Sequence, residues 1–204
     1  MPDALIRFYN GNYFNTIKAS SSLASNPVFT LPIDDGDSGE ILKTDGNGVL
    51  DWTVPQVKNF INGQTGAVGT TTTTIPLDDT IPQNTEGAQL MTLAFTPLNS
   101  NNKLFIDVTV MASSSTASRY VIAALFQDST ANALAVGYNL MDAGGGHVCI
   151  TFSHVMTAGT TNQTTFKVRG GLNDSGTFTF NGRAGSRDFG GVLASSIRIW
   201  ELAA

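Results

Sequence analysis

The stretch from residue 146 to residue 156 alternates between two kinds of side chain. One parity carries Val148, Ile150, Phe152, His154 and Met156, and the other carries His147, Cys149, Thr151 and Ser153. Alternation over this length is typical of a β-strand that turns one face toward a core. It predicts a long strand here, and several runs after Lys103 share the pattern. The C-terminal two thirds is therefore predicted to be one antiparallel β unit.

Other strands are predicted at intervals of roughly ten to fifteen residues. They cover residues 89–95, 103–111, 119–127, 133–138, 164–169, 177–180 and 195–202. Turn-forming residues separate these segments, and no helical pattern lies between them. The 21 glycines and the low charged fraction of 13% also suit an all-β protein with many tight turns. The pattern predicts an antiparallel β-sandwich, and the jelly roll is the preferred form.

The N-terminal part is predicted to be an extended arm followed by a β-hairpin. Large apolar residues crowd the arm: Leu5, Ile6, Phe8, Tyr9, Tyr13, Phe14 and Ile17. A segment this short has no core of its own, so we expect the arm to lie against another part of the protein or against a partner. The turn sequence Asp45-Gly46-Asn47-Gly48 lies between two apolar runs and predicts the hairpin, because such residues tolerate positive φ.

The joint between the two parts is placed near residue 62. Val57, Phe60 and Ile61 have helical spacing after Pro55, which predicts a short helix over residues 54–61. Gly63 and Gly66 then end it. The predicted organisation is an arm and hairpin over residues 1–62, serving attachment, and a knob over residues 63–204.

Several predicted strands carry large apolar residues on both parities. Phe105 and Met111 oppose Leu104 and Ile106, Ile122 and Phe126 oppose Val121 and Leu125, and Trp200 opposes Ile197 and Ile199. A sandwich buries only the inner face of each sheet, so the second apolar face needs another cover. A symmetric copy is the simplest cover, and a homotrimer around a threefold axis is our hypothesis.

Charge and composition argue against several classes of partner. The net charge is -5 and the basic residues are scattered singly, so no nucleic-acid partner is expected. The first nineteen residues lack a continuous apolar core, so neither a secretion signal nor membrane insertion is expected. The single cysteine, Cys149, cannot form an internal disulfide.

Catalytic and metal-binding patterns are weak. His147 and Cys149 share one strand face while His154 lies on the other, so packing roles are favoured over a zinc site, with His154 as a hydrogen-bonded interior histidine. No nucleophile elbow or phosphate-binding loop follows a strand. We expect no cofactor, no metal and no enzyme activity. The adjacent acids Asp78 and Asp79 leave glycan cleavage as a residual alternative.

One loop is a candidate for surface recognition. Arg183, Arg187 and Asp188 lie in the glycine-punctuated segment 181–191. Such a loop at the end of a sandwich can bind a sugar or a partner surface. A solvated turn is the plainer interpretation, because loops are polar by default.

Two stretches resemble a known group of proteins. The first contains Phe29-Thr30-Leu31-Pro32, Gly39-Glu40-Ile41-Leu42, Thr44-Asp45-Gly46-Asn47-Gly48 and Leu50-Asp51-Trp52; the second runs from Asp78-Asp79-Thr80 through Ala123, Met156-Thr157-Ala158-Gly159-Thr160 and Thr165-Phe166-Lys167 to Ser195-Ser196-Ile197. Both resemble modules of bacteriophage tail-fibre and virion surface proteins. The resemblance implies a virion protein with a trimeric knob like the tumour-necrosis-factor jelly rolls, and it supplies no catalytic residues.

Two roles within the virion remain open. A tail fibre usually needs a long shaft, and this chain has no heptads and no long repeat. A capsid decoration or cement protein needs only an adhesive arm and a compact head. The favoured hypothesis is a decoration protein on the outer surface of the virion, made in the host cytoplasm, with the major capsid protein or another virion protein as partner. The alternative is a short tail fibre or receptor-binding knob that recognises a host surface glycan.

Overall fold

The structure is a computed structural model that describes the backbone of residues 5–10 and 13–18 and the whole of residues 28–204. The chain divides into two compact units, Met1–Pro55 and Gln56–Ala204.

The first unit contains two antiparallel hairpins. Its strands are β1 (Leu5–Asn10), β2 (Tyr13–Lys18), β3 (Ile41–Thr44) and β4 (Leu50–Thr53). The β3–β4 turn is the predicted one, and the hairpin prediction is confirmed. The Asp45 carboxylate accepts the N–H groups of Asn47 at 2.7 Å and Val49 at 3.1 Å. The bond from Asn47 is the main reason that the pKa of Asp45 lies below its usual range.

The second unit is built from strands alone, apart from one short 3-10 turn at Phe189–Gly191. The strands are β5 (Val57–Thr65), β6 (Gly69–Thr71), β7 (Ala88–Phe95), β8 (Lys103–Ser114), β9 (Arg119–Gln127), β10 (Ala135–Met141), β11 (Val148–Thr157), β12 (Thr164–Leu172), β13 (Phe178–Phe180), β14 (Gly182–Arg183), β15 (Ser186–Arg187) and β16 (Ser195–Leu202). These bounds confirm the strands that alternation predicted.

The strand order defines a jelly roll. One sheet has the order β10-β9-β12-β7, and the other runs β5-β16-β8, with β11 on the far edge of β8. All of these pairs are antiparallel. From β7 to β13 the chain passes from one sheet to the other at every connection except the β9–β10 hairpin, which is the connectivity of a double-sheet jelly roll. The short strands β13 and β6 extend the second sheet beyond the end of β16.

The core lies between the two sheets and is formed by one parity of each strand. Its fully buried members include Leu104, Ile106, Val108, Val110, Val121, Leu125, Phe166, Val168, Phe178, Ile197 and Ile199. Alternating burial along β8 and β16 therefore turns their other parity outward.

The predicted helix over residues 54–61 is wrong, because this segment belongs to β5. Ile61 pairs with Ile199 and Phe60 pairs with Trp200 in an antiparallel ladder of eight residue pairs. Apolar residues at positions 57, 60 and 61 satisfy helical spacing locally, but the open edge of β16 offers backbone partners that an isolated helix lacks. The second unit consequently begins at Gln56, ahead of the joint placed at residue 62.

The second face of β9 is covered by the chain itself, so no symmetric copy is required there. Ile122 and Phe126 form a separate buried cluster with Ile75. The segment that carries Ile75 is held by a bond from its N–H to the Leu172 carbonyl at 2.9 Å. The guanidinium of Arg169 adds bonds to the carbonyls of Glu86 and Gly87, each 2.7 Å. The prediction that a symmetric copy covers Ile122 and Phe126 is therefore wrong.

Candidate self-association surface

The outer face of the β5-β16-β8-β11 sheet carries a row of large apolar side chains. Phe60 pairs with Trp200, Trp200 with Phe105, and Phe105 with Val155, so one residue from each strand lies side by side. The ring centroids are 5.1 Å apart for Phe60 and Trp200, and 5.5 Å apart for Phe105 and Trp200. We call these four residues the apolar row.

The apolar row is open to solvent at both ends. Phe60 is 50% exposed and Val155 is 57% exposed, while Phe105 and Trp200 are half-buried between them. The adjacent row of the sheet is polar, with an ion pair between Arg198 and Asp107 at 3.1 Å. An exposed apolar row beside paired polar groups is typical of a protein contact surface.

A second exposed apolar set lies on the other sheet, at its edge strand β10. Ala135 and Gly137 pair with the core residues Leu125 and Ala123, which turns the alternate residues of β10 outward. Those outward residues are Val136, Tyr138 and Leu140, all exposed. The Tyr138 ring packs edge-on against Tyr120 with centroids 5.7 Å apart, so it is held in place rather than free in solvent.

The predicted recognition loop contains a tight hairpin, and the Asp188 side chain after it lies beside His147 and Arg183. Ala184 and Gly185 join β14 to β15 with positive φ values of 50° and 76°, as a two-residue turn requires. The Asp188 Oδ2 atom lies 2.9 Å from His147 Nε2 and 3.8 Å from Arg183 Nε. The structure thus brings together Asp188, Arg183 and His147, whereas Arg187 is exposed over the backbone of Gly191.

The residues considered for a zinc site do not converge. Cys149 is exposed on the outer face of β11, while His154 pairs with the core residue Ile106 on the inner face. Burial lowers the pKa of His154. Within residues 28–204, no group of three or more potential ligands is placed to hold a metal ion.

A buried carboxylate, which the sequence analysis did not single out, fixes one end of the sheet. Glu201 has no exposed surface, and its carboxylate accepts the N–H of Leu98 at 2.9 Å and of Asn99 at 3.1 Å, and the Asn102 Nδ2 at 2.7 Å. The sequence held a signal, because Glu201 shares the parity of Ile197 and Ile199. This group joins the last strand to the β7–β8 loop.

The seven apolar arm residues lie in the first hairpin. Leu5, Ile6, Phe8 and Tyr9 belong to β1, and Tyr13, Phe14 and Ile17 belong to β2. The register pairs Ile6 with Ile17 and Tyr9 with Phe14. Their side chains lie outside the part of the chain that the structure describes, so their role in attachment stays a prediction.

The chain is thus an all-β jelly-roll protein, and the outer face of one of its sheets carries the partly exposed apolar row. No family model matches it, and no curated protein matches it. Similar solved structures include an Eiger tumour necrosis factor from S. frugiperda, with a TM-score of 0.42 and 9% identity, covering 71% of this chain and 93% of that one. The VP2 subviral particle of infectious bursal disease virus gives a TM-score of 0.37 and 10% identity, covering 97% of this chain.

This chain spans about half of that VP2 chain, 51% of its length. A Bacillus thuringiensis Cry1Da tryptic core variant gives a TM-score of 0.31 and 14% identity, covering 81% of this chain and 31% of that one. The assignment of the jelly-roll fold rests on the strand order of the two sheets and not on these similarities. In the described ranges, no helix has the length and apolar character needed to cross a membrane.

Proposed function

We propose that this chain is a structural protein of a bacteriophage virion, and that it acts as a homotrimeric capsid decoration or cement protein. The apolar row carries the proposal, because Phe60, Trp200, Phe105 and Val155 form one contiguous exposed strip that nothing in the described chain covers. Its chemistry suits protein contact, and the role is non-enzymatic.

The presence of two unlike surfaces supports assembly into a closed ring. The apolar row lies on one sheet, and the outward residues of β10, centred on Tyr138, lie on the other. A twofold dimer would pair one surface with itself and leave the other exposed. A head-to-tail contact between unlike surfaces uses both, and it forms a closed ring when the rotation permits. Three subunits is the hypothesis that the resemblance to trimeric knobs favours.

In this role the N-terminal arm attaches the trimer to the shell. Three arms on one knob bind with an effective concentration that a single arm lacks, so modest contacts with the major capsid protein add up to firm attachment. The hairpin of β1 and β2 concentrates the apolar residues that this attachment needs. Deleting residues 1–31 should leave a folded, soluble knob that no longer binds shells.

A short tail fibre or receptor-binding knob is the second candidate. The observation that favours it is the pair of exposed arginines, Arg183 and Arg187, on the β14–β15 hairpin. In this role the loop near Asp188 would contact a host surface glycan. Shortening of a host polysaccharide on incubation with the protein would contradict both candidates, because it would reveal an enzyme.

Two measurements test the proposal. Light scattering of the full chain should give about three times the subunit mass of 21.5 kDa. Phe60→Lys combined with Val155→Lys should reduce that mass to one subunit, whereas the control Val192→Lys, at an exposed site elsewhere, should not. Quantitative mass spectrometry of purified virions should give copies comparable to the major capsid protein. A few tens of copies or fewer would favour the tail role, and a monomeric wild type would refute the trimer.

A further inference from the structure

The first unit has regular structure but no core in its described part. From residue 28 to residue 55 not one residue is buried, although β3 and β4 form a ladder and Thr30 bridges to Val49. Phe29 is 60% exposed and Leu31 is 70% exposed, and Ile33 projects fully into solvent. Small hairpins are marginally stable in water unless a hydrophobic face is covered. We call residues 28–33 the apolar strip, and we expect another protein surface to cover its exposed side chains.

The same segment is strongly acidic. Residues 28–55 contain six carboxylates and one lysine, so the net charge of this segment is -5, the same as the net charge of the whole chain. Several of these carboxylates fix local turns: Asp34 accepts the Gly36 N–H at 3.2 Å, and Glu40 accepts the Asp37 N–H at 2.7 Å. The carboxylates of Asp35 and Asp37 make no hydrogen bond within the described chain, so their charge faces outward.

We infer that the apolar strip, together with the outward carboxylates of Asp35 and Asp37, docks onto a protein surface that is apolar at its centre and basic at its rim. The charge disfavours the same segment of a second copy as the contact, because two such segments would bring like charges together, and the rest of the chain carries no net charge to attract the carboxylates. The inference rests on the proposed attachment to a virion, and it adds the chemistry of the partner and a second contact beyond the β1–β2 hairpin.

The test uses the full chain and shells purified from particles assembled without it. Phe29→Ser with Leu31→Ser removes the apolar strip, and Asp35→Lys with Asp37→Lys reverses the free charges without touching the turn bonds of Asp34 and Glu40. The matched controls lie in the second unit: Leu98→Ser at an exposed leucine, and Asp79→Lys at an exposed aspartate. Binding is measured by cosedimentation at low and high salt, with light scattering of each variant alone.

The apolar variant should bind shells roughly a hundredfold more weakly, since two large side chains lose their burial. The charge variant should bind roughly tenfold or more weakly at low salt, and the difference should shrink at high salt because screening weakens the attraction. Both controls should bind like wild type. Each variant should keep the wild-type mass.

Three results would overturn the inference. If wild type binds and both variants bind equally well, the strip is not the contact, while the virion role stands. If the apolar variant loses subunits, the occupant is a second copy. If wild type itself does not bind shells, the inference and the proposed attachment fail together.

Discussion

Replacing Glu201 by glutamine should destabilise the second unit more than any exposed acid-to-amide change. The carboxylate is fully buried and both oxygens are used: the Leu98 N–H lies 2.9 Å from one and 3.0 Å from the other, and Asn99 and Asn102 donate to the first. Glutamine has nearly the same shape, but its amide group turns a donor toward these donors. The first oxygen already accepts all three donors, so the amide group of glutamine would take the second position, where it faces the Leu98 N–H at 3.0 Å, and the three bonds would go to a neutral acceptor.

The magnitude follows from the number of donors affected. A buried donor left without a partner costs about 1–3 kcal/mol, and a hydrogen bond to a charged group contributes about 1.5–3 kcal/mol. We expect Glu201→Gln, which sets one donor against the Leu98 N–H and removes the charge from the acceptor, to cost about 2–3 kcal/mol; Glu201→Ala, which leaves all three donors without this partner, should cost about 3–5 kcal/mol. In a unit of this size, each kcal/mol lowers Tm by about 2–4 °C.

Thermal and urea unfolding of the full chain at one fixed protein concentration would measure the effect. Glu40→Gln is the matched control, because Glu40 also accepts a backbone N–H, from Asp37, but on an exposed turn. It should change stability by less than about 1 kcal/mol. A Tm for Glu201→Gln equal to that of the control would refute the reasoning, because it would mean that the β7–β8 loop finds other acceptors without cost.

Three further predictions concern single residues. Because burial lowers the pKa of His154 below its ordinary 6.5, the unfolded state binds more protons, and stability should fall as pH drops below about 6.5; His154→Gln should flatten this part of the Tm profile, and an unchanged profile would contradict the assignment. Phe126→Ala should cost about 3–5 kcal/mol without changing the mass in light scattering, because its cover is Ile75 of the same chain; subunit loss would point to a covering copy. Gly36→Ala should shift the fluorescence of Trp52, because φ is +71° and a Cβ would lie 2.6 Å from the indole ring, whereas Gly39→Ala, with open space around it, should not.

The strands of the jelly roll were predictable because the alternation of apolar and polar residues is a local signal, and the apolar parity of each strand faces the core. In β11, Val148, Ile150 and Phe152 lie on the inner face as their parity indicates, and the Asp-Gly and Asn-Gly turn joins β3 to β4 as its chemistry requires. β5 was not predictable in this way. The spacing of its apolar residues fits a helix, and only the exposed edge of β16 makes the extended conformation favourable.

The candidate surface was predictable in part. Phe105 and Trp200 were expected to face outward from parity alone, and they do. Phe60 and Val155 complete the row only because β5 and β11 pair in the observed register, which no local pattern specifies. The predicted cover for Ile122 and Phe126 was wrong for a related reason: a loop can return over a sheet, and Ile75 gives no sign in the sequence of where it will pack.

The sequence by itself determined which segments are strands, which face of each is apolar, and where the glycine-rich turns fall, because backbone propensity and side-chain alternation act over a few residues. The tertiary structure decided what depends on distant partners. It paired β5 with β16, covered one outer face with Ile75, enclosed Glu201 among three donors, and left the row from Phe60 to Val155 open. Contacts between residues far apart in the chain depend on the whole fold, so no single stretch of sequence encodes them.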